Sequence, residues 1–207
     1  MSAVASLWMV DADAVADADL LRYHGWLTPG ETARYQRFVR AQRQRQFVAG
    51  RVLLRMALGR LLGVQPQDIR LDEQVGKAPR LAAPVLKGAP PGFSIAHSGR
   101  WVACATSAQT ALGLDIEMRD PGRDLPALAA QAFDTDEMAQ WARIQQLPDD
   151  ERVDGFYRMW SEKEARFKLG ETAIGHCAVL AHPELSVVVC SELPLVRPPQ
   201  IELVTLP

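Results

Sequence analysis

Three stretches of this chain carry charge where a helix or strand built only for stability would carry carbon. The first is Gly113-Leu114-Asp115-Ile116-Glu117, which reads as a strand. Residues two apart on a strand point the same way. Asp115 and Glu117 therefore project side by side, while Leu114 and Ile116 face the other way. Neighbouring carboxylates repel unless a cation or a proton lies between them. Hard oxygen donors of this kind suit Mg2+, which takes one or two carboxylates together with substrate phosphates. The competing reading is a strand end facing solvent.

The second stretch is the helix over residues 150–169, containing Trp160-Ser161-Glu162-Lys163-Glu164-Ala165-Arg166-Phe167-Lys168. At helical spacing Trp160 and Phe167 share a face, with Lys163 and Glu164 on it and Lys168 beside it. A structural helix would place Leu or Ala there. Instead the inward stripe carries two cations around one carboxylate, whereas an i,i+4 pair of Glu164 with Lys168 on the surface would explain the spacing but not the aromatics beside it. The third stretch is the helix over residues 43–62, where Phe47, Leu54, Leu58 and Leu61 form a stripe and Arg51 falls inside it. A half-buried guanidinium needs an anionic partner, either a ligand or a structural carboxylate. His97 closes the strand Phe93–His97 at the rim of its sheet, and it gains interest as a donor only beside a phosphate.

Positioning these groups takes a chain of helices followed by strands, twice over. A strand at 7–10 leads to a short helix at 14–26. Thr28-Pro29-Gly30-Glu31 opens the next helix with a capping box and Pro at its first position, and that helix is expected to reach about Val39. The Arg51 helix ends at Gly63, a residue suited to a helix C-terminus. Residues 76–92 read as loop. Strands follow at 92–97, 101–107 and 111–117, the first two joined by a Ser98-Gly99-Arg100 turn. Helices at 125–132, 136–146 and 150–169 come next, then strands at 178–181, 184–189 and 200–204. The repeated order predicts two α+β halves, residues 1–109 and 110–207.

Length and composition bound the rest. The 207 residues are 48% hydrophobic and 23% charged, those of an ordinary globular chain. With 23 basic and 25 acidic side chains the net charge is −2, which argues against a nucleic-acid coat. The charge is nonetheless segregated. Residues 32–67 hold eight arginines and no acid, whereas 115–171 hold fourteen acids against eight bases, a pattern for an anion on one side and a cation on the other. No apolar run approaches the ~20 residues of a bilayer span, and the Asp-rich start lacks the cationic region of a secretory signal. Cys104, Cys177 and Cys190 are odd in number and widely spaced, so neither a disulfide framework nor a zinc site is expected. A cytoplasmic location follows as the expectation. No Walker loop, GxGxxG turn, GxSxG elbow or HExxH is present.

In this order and at these intervals, the chain resembles the Sfp-type 4′-phosphopantetheinyl transferases. Their signature is a G-[IV]-D-[IV]-E strand followed some 40 residues later by W-[ST]-x-K-E-x-x-x-K, here Gly113–Glu117 and Trp160–Lys168. The resemblance extends to F-x-I-x-H-S-G-x-W (Phe93–Trp101) and to the Arg-rich region from Arg37 to Arg55, and spans about Leu27 to Gly170. It implies an α+β fold of two similar, pseudo-symmetric halves with the active site in the cleft between them. It implies transfer of the phosphopantetheine arm of coenzyme A to a serine of an acyl or peptidyl carrier protein, releasing adenosine 3′,5′-bisphosphate.

Residue by residue, the resemblance assigns Mg2+ to Asp115, Glu117 and Glu164. It assigns the coenzyme A phosphates to His97, Lys163 and Lys168, and the adenosine 3′-phosphate and base to Arg45, Arg51, Lys77 and Pro79. Glu164, or a water it orients, is the candidate base, with Lys168 and His97 as the other catalytic candidates. The chain departs from the pattern at Ala96, where many relatives carry Ser, and at Ala78, which interrupts Gly-Lys-Pro. It departs again at Gln46, where Arg is common and Arg45 or Arg43 could substitute. A monomer acting on acidic helical carriers, without nucleic acid or membrane, is expected. The competing functions are a polyanion-binding module built on residues 34–60 and a non-catalytic relative that only docks carrier proteins.

Overall fold

The computed structural model describes residues 2–73, 78–170 and 175–207. The chain enters through β1 (Ser6–Asp11) and a 3-10 turn at Ala12–Ala14, which replaces the start of the expected first helix. The turn forms because the Asp11 side chain accepts from the Asp13 N–H, 3.0 Å away. Then follow α1 (Asp17–His24), α2 (Pro29–Tyr35), α3 (Ala41–Leu62), β2 (Arg70–Asp72) and β3 (Arg80–Ala83). The expected loop over 76–92 thus contains a strand, β3, paired antiparallel with β2. The expected helix to Val39 stops at Tyr35, since the chain turns there and the Gln44 side chain donates to the Phe38 carbonyl at 2.8 Å. The capping box forms as the sequence requires: Thr28 Oγ1 accepts from the Glu31 N–H, and Glu31 Oε2 accepts from the Thr28 N–H.

The middle of the chain holds β4 (Gly92–Ser98), β5 (Trp101–Ser107) and β6 (Leu112–Met118), followed by α4 (Leu125–Ala132), α5 (Thr135–Ile144) and α6 (Asp149–Leu169). The last strands are β7 (His176–Leu180), β8 (Leu185–Ser191) and β9 (Ile201–Leu203). One sheet runs β4-β5-β1-β9 and another β6-β8-β7. The turn between β4 and β5 pairs Ser98 with Trp101, and its Gly99 sits at φ 56°, a conformation that favours glycine.

Strand alternation builds the layers. Leu7 and Met9 of β1 meet Leu114 and Ile116 of β6 and Val187 and Val189 of β8, so the two sheets pack face to face. Trp8 and Val10 point the opposite way, onto Leu53, Leu54 and Leu58 of α3. On the far side, Val188 and Cys190 of β8 meet Ala165 of α6. The order of layers is α3, first sheet, second sheet, α6. Because α1 and α2 cover the outer side of α3, residues 46–55 of that helix are buried all round, where one stripe was expected.

The cysteine reading is corrected. Cys177 and Cys190 stand opposite each other in the β7–β8 register, Cα–Cα 4.0 Å, and are disulfide-bonded, while Cys104 is free and buried. Their 13-residue separation hides a pairing that only the strand register creates. The C-terminal segment crosses back to the first sheet, where β9 lies parallel to β1 and Leu195 bridges Ala3. Among the described residues no helix is long and apolar enough to cross a membrane.

Candidate active site

Where the edges of the two sheets meet, a cleft of about 760 Å³ opens between β4 and α3 on one side and β6 and α6 on the other. Two serine hydroxyls close the seam beneath it. Ser94 Oγ accepts from the Leu114 N–H and Ser98 Oγ from the Met118 N–H, each at 2.9 Å, and Ser98 Oγ donates to Glu117. These bonds satisfy edge-strand groups that would otherwise be orphaned. They also hold His97 and the Asp115–Glu117 strand side by side.

Gly113 sets the height of the acidic wall. A Cβ there would lie 1.9 Å from the Ala165 carbonyl oxygen, so any side chain would push α6 off the sheet. With hydrogen in its place, α6 lies directly against β6 and brings Trp160, Glu164, Phe167 and Lys168 to the cleft with Asp115 and Glu117. Lys168 Nζ donates to Asp115 Oδ1 at 2.8 Å and to the Leu114 carbonyl at 3.0 Å. Burial pushes the Asp115 pKa up to about 6 despite the pull of Lys168, with the charge of Glu117 adding to the rise. Asp115 Oδ2 is buried and makes no well-formed hydrogen bond; the Ser161 hydroxyl, buried and likewise without one, is close enough to pull the carboxyl pKa down.

That orphaned oxygen, in a set of hard carboxylate donors, fits an Mg2+ ligand. Among the described residues, no three of Asp, Glu, His or Cys draw together tightly enough to enclose an ion. Asp115, Glu117 and Glu164 line one cleft, the first two already engaged by Lys168 and Ser98.

The opposite wall is cationic and aromatic. Arg34, Arg43 and Arg51 line it with Phe38 and Phe47, alongside His97 and Pro79. His97 opens onto the cleft, and Arg43 Nη1 reaches its ring, 2.7 Å from Nδ1. Loss of water around the ring between the cleft walls, then the positive charges of Arg43 and Lys168, lower its pKa to about 4. A ring contacted by a guanidinium is a neutral acceptor. Gln46 is buried, accepts from Arg43 and donates to the Gly99 carbonyl, so it orients Arg43. Arg51 meets carboxylates within the protein: it bonds to Glu73, and its Nε lies 3.2 Å from Glu31 Oε1. It nevertheless lines the cleft.

Two candidate cations point elsewhere. Arg45 donates to the Ala12 and Val15 carbonyls and pairs with Asp17, tying α3 to the N-terminal segment. Arg43, two residues earlier, faces the cleft instead. Lys163 turns to Glu137 on α5. The expected stripe of two cations on α6 therefore reduces to Lys168, and Phe167, placed inward by spacing, is 66% exposed at the rim. The surface i,i+4 pair on α6 is Glu162 with Arg166, whereas Lys168 bonds to Asp115. Lys77 lies outside the described residues. Sequence reasoning did not single out Arg34, Phe38 or Glu73; the acid-free arginine run was the available signal for Arg34.

A family model described as "4'-phosphopantetheinyl transferase, N-terminal" matches residues 15–109, and one for the "4'-phosphopantetheinyl transferase superfamily" matches residues 111–187. The chain belongs to the 4′-phosphopantetheinyl transferase family. The junction between the two matches falls between β5 and β6, where the chain passes from one sheet to the other. The transferase HetI of Nostoc sp. is 34% identical over 167 residues, 78% of this chain and 66% of that protein. Sfp of Bacillus subtilis is 29% identical over 148 residues, 71% of this chain and 61% of its own length. AcpT of Salmonella typhimurium is 32% identical over 126 residues, covering 61% and 58%. The chain thus spans less than two thirds of the length of these curated relatives.

Proposed function

We propose that this chain transfers the 4′-phosphopantetheine group of coenzyme A to a serine of an acyl or peptidyl carrier protein, releasing adenosine 3′,5′-bisphosphate. The observation that carries the reading is the polarity of the cleft. One wall holds Asp115, Glu117 and Glu164, and the facing wall holds Arg34, Arg43 and Arg51. A nucleotide diphosphate with an added phosphate needs both: cations for its phosphomonoester and a cation-binding carboxylate set for its pyrophosphate. Phe38, Phe47 and Pro79 supply apolar surface for a base between them.

The carrier serine oxygen forms a bond to the phosphorus bearing pantetheine. The bond from that phosphorus to the bridging oxygen breaks, and the electron pair leaves with adenosine 3′,5′-bisphosphate. Transfer of this kind is mostly positioning and charge neutralisation. Lys168, anchored on the Leu114 carbonyl, supplies fixed positive charge at the pyrophosphate end. Glu164 faces the cleft and takes the serine proton, directly or through a water it orients. Mg2+ would be held by Asp115, Glu117 and Glu164, and when bound it neutralises charge on the pyrophosphate. Neutral His97 donates to a phosphate oxygen through one ring nitrogen, a contact that favours uptake of a second proton.

The same reading divides the chain into pseudo-symmetric halves, 1–109 and 110–207. Its support is that β1-β5-β4 and β6-β8-β7 repeat one antiparallel order, each with a long helix after its first strand. A monomer in the cytoplasm is part of it. For the carrier, an acidic helical surface suits the exposed Arg37 and Arg40 flanking Val39, which is 97% exposed. The test is incubation with apo carrier protein and coenzyme A, with Mg2+ or with EDTA, and mass spectrometry of the carrier. A gain of one phosphopantetheine with Mg2+, absent with EDTA and in Glu164→Ala, is expected. Failure with acyl and peptidyl carriers alike, despite coenzyme A binding, would favour a docking role without transfer.

A further inference from the structure

Arg34 and Arg51 line the cationic wall of the cleft, yet the group that joins them does not. Glu73, just past β2, is absent from the described residues lining the cleft, and its side chain is only 5% exposed. Its two oxygens are divided: Oε2 accepts from Arg34 Nη1 at 2.7 Å, and Oε1 accepts from Arg51 Nη2. Phe47 supports both guanidiniums, with their central carbons 5.9 and 4.6 Å from the ring centroid. Behind them Glu31, fully buried, is occupied twice over. Arg55 holds it with two nitrogens, and its Oε2 also caps the Thr28 N–H at 2.8 Å.

Arg34, Arg51 and Arg55 thus share Glu31 and Glu73, three positive charges against two negative, and two of the three arginines, Arg34 and Arg51, line the cleft. Removing one carboxylate from such a buried set leaves a guanidinium charge uncompensated, and the arginines are no longer held in one place. Without Glu73, Arg51 would be drawn inward to Glu31, and Arg34, 43% exposed, would be free to sweep through solvent.

We propose that Glu73 is a positioning residue: it clamps Arg34 and Arg51 from behind into a rigid pair that recognises the phosphomonoester of the nucleotide substrate, and so sets discrimination for a ligand carrying that phosphate. The identity of the phosphomonoester as the 3′-phosphate of coenzyme A rests on the function proposed above. Glu73 takes one nitrogen of each guanidinium, Arg34 Nη1 and Arg51 Nη2, and makes no hydrogen bond to the other terminal nitrogen of either. Glutamine can accept from one arginine only, and its amide N–H2 group repels the other.

The experiment is calorimetric binding of coenzyme A and 3′-dephospho-coenzyme A, without carrier protein, to wild type, Glu73→Gln, Glu73→Asp and Arg34→Ala. Wild type is expected to prefer coenzyme A. In Glu73→Gln the preference falls on the order of tenfold, the scale of one charge-assisted hydrogen bond, while binding of the dephospho ligand stays nearly constant. Arg34→Ala loses a similar factor, and Glu73→Asp keeps most of the preference. A merely structural role would weaken both ligands together, and thermal melts separate that from misfolding. An unchanged ratio in Glu73→Gln overturns the proposal. A raised ratio overturns it too, and would make Glu73 an internal competitor for the arginines. If wild type binds neither ligand, the coenzyme A reading itself fails.

Discussion

Replacing Asp115 by asparagine should make the metal-free protein more stable while removing a ligand of the proposed Mg2+ site. The carboxyl pKa is raised by burial from 3.8 to about 6 in the folded chain. The folded state therefore binds the Asp115 proton more tightly than the unfolded chain does. Below pH ~4 both states are protonated and the residue costs nothing. Between there and pH 6 stability falls as pH rises, and above 6 the full cost is present. Two pKa units correspond to about 3 kcal/mol. Asparagine keeps the volume and an oxygen for Lys168, and it removes the buried charge. For a chain of this size the gain translates to roughly 6–12 °C in Tm at pH 7.5. The assay is urea and thermal unfolding of both proteins from pH 4.5 to 8, with EDTA and then with Mg2+. The gap should shrink toward pH 4.5, and Mg2+ should raise the wild type alone and narrow it. An asparagine variant no more stable than wild type at pH 7.5, or a gap that does not vary with pH, would refute the reasoning.

Gly113→Ala should lift α6 from β6, since its Cβ meets the Ala165 carbonyl; a loss of a few kcal/mol in urea unfolding is expected, with transfer activity falling even where the protein remains folded. His97 should titrate near pH 4 in the free protein by NMR, because desolvation in the cleft and the nearby Arg43 and Lys168 disfavour its charge; a phosphate brought into contact should raise that pKa, so ligand binding between pH 5 and 6 takes up protons, measurable by calorimetry in buffers of different ionisation enthalpy. Arg43→Ala, on the cleft wall, should raise the KM for coenzyme A at least several-fold, whereas Arg45→Ala should change stability through its bonds to Ala12, Val15 and Asp17 and leave that KM nearly unchanged. Equal effects of the two substitutions would contradict the opposite orientations of Arg43 and Arg45.

Much of the acidic wall was legible from local periodicity. A strand alternates faces, so Leu114 and Ile116 went to the sheet interface and Asp115 with Glu117 to the cleft. The Thr28–Glu31 capping box, the Gly63 helix end and the Ser98–Arg100 turn are likewise decided by a few consecutive residues. The arginine run announced a cationic wall but not which arginines form it. Neighbouring side chains on a helix differ by about 100°, and the packing of α1 and β4 against α3 sends Arg45 to the N-terminal segment and Arg43 to His97. Lys163 and Lys168 part in the same way, because α5 covers one flank of α6 and β6 the other.

Charge type, face and spacing are properties of the chain itself, so the sequence alone determined the carboxylate pair, the Arg51 anomaly and the two-part signature. Which partner meets each charge depends on elements far apart along the chain. Glu73 reaches Arg51 across 22 residues and Cys177 meets Cys190 only through the β7–β8 register. Likewise β9 returns to a strand laid down near residue 6. Those pairings were decided by tertiary structure, because a buried ion or a strand edge takes the nearest partner in space, whatever its place in the sequence.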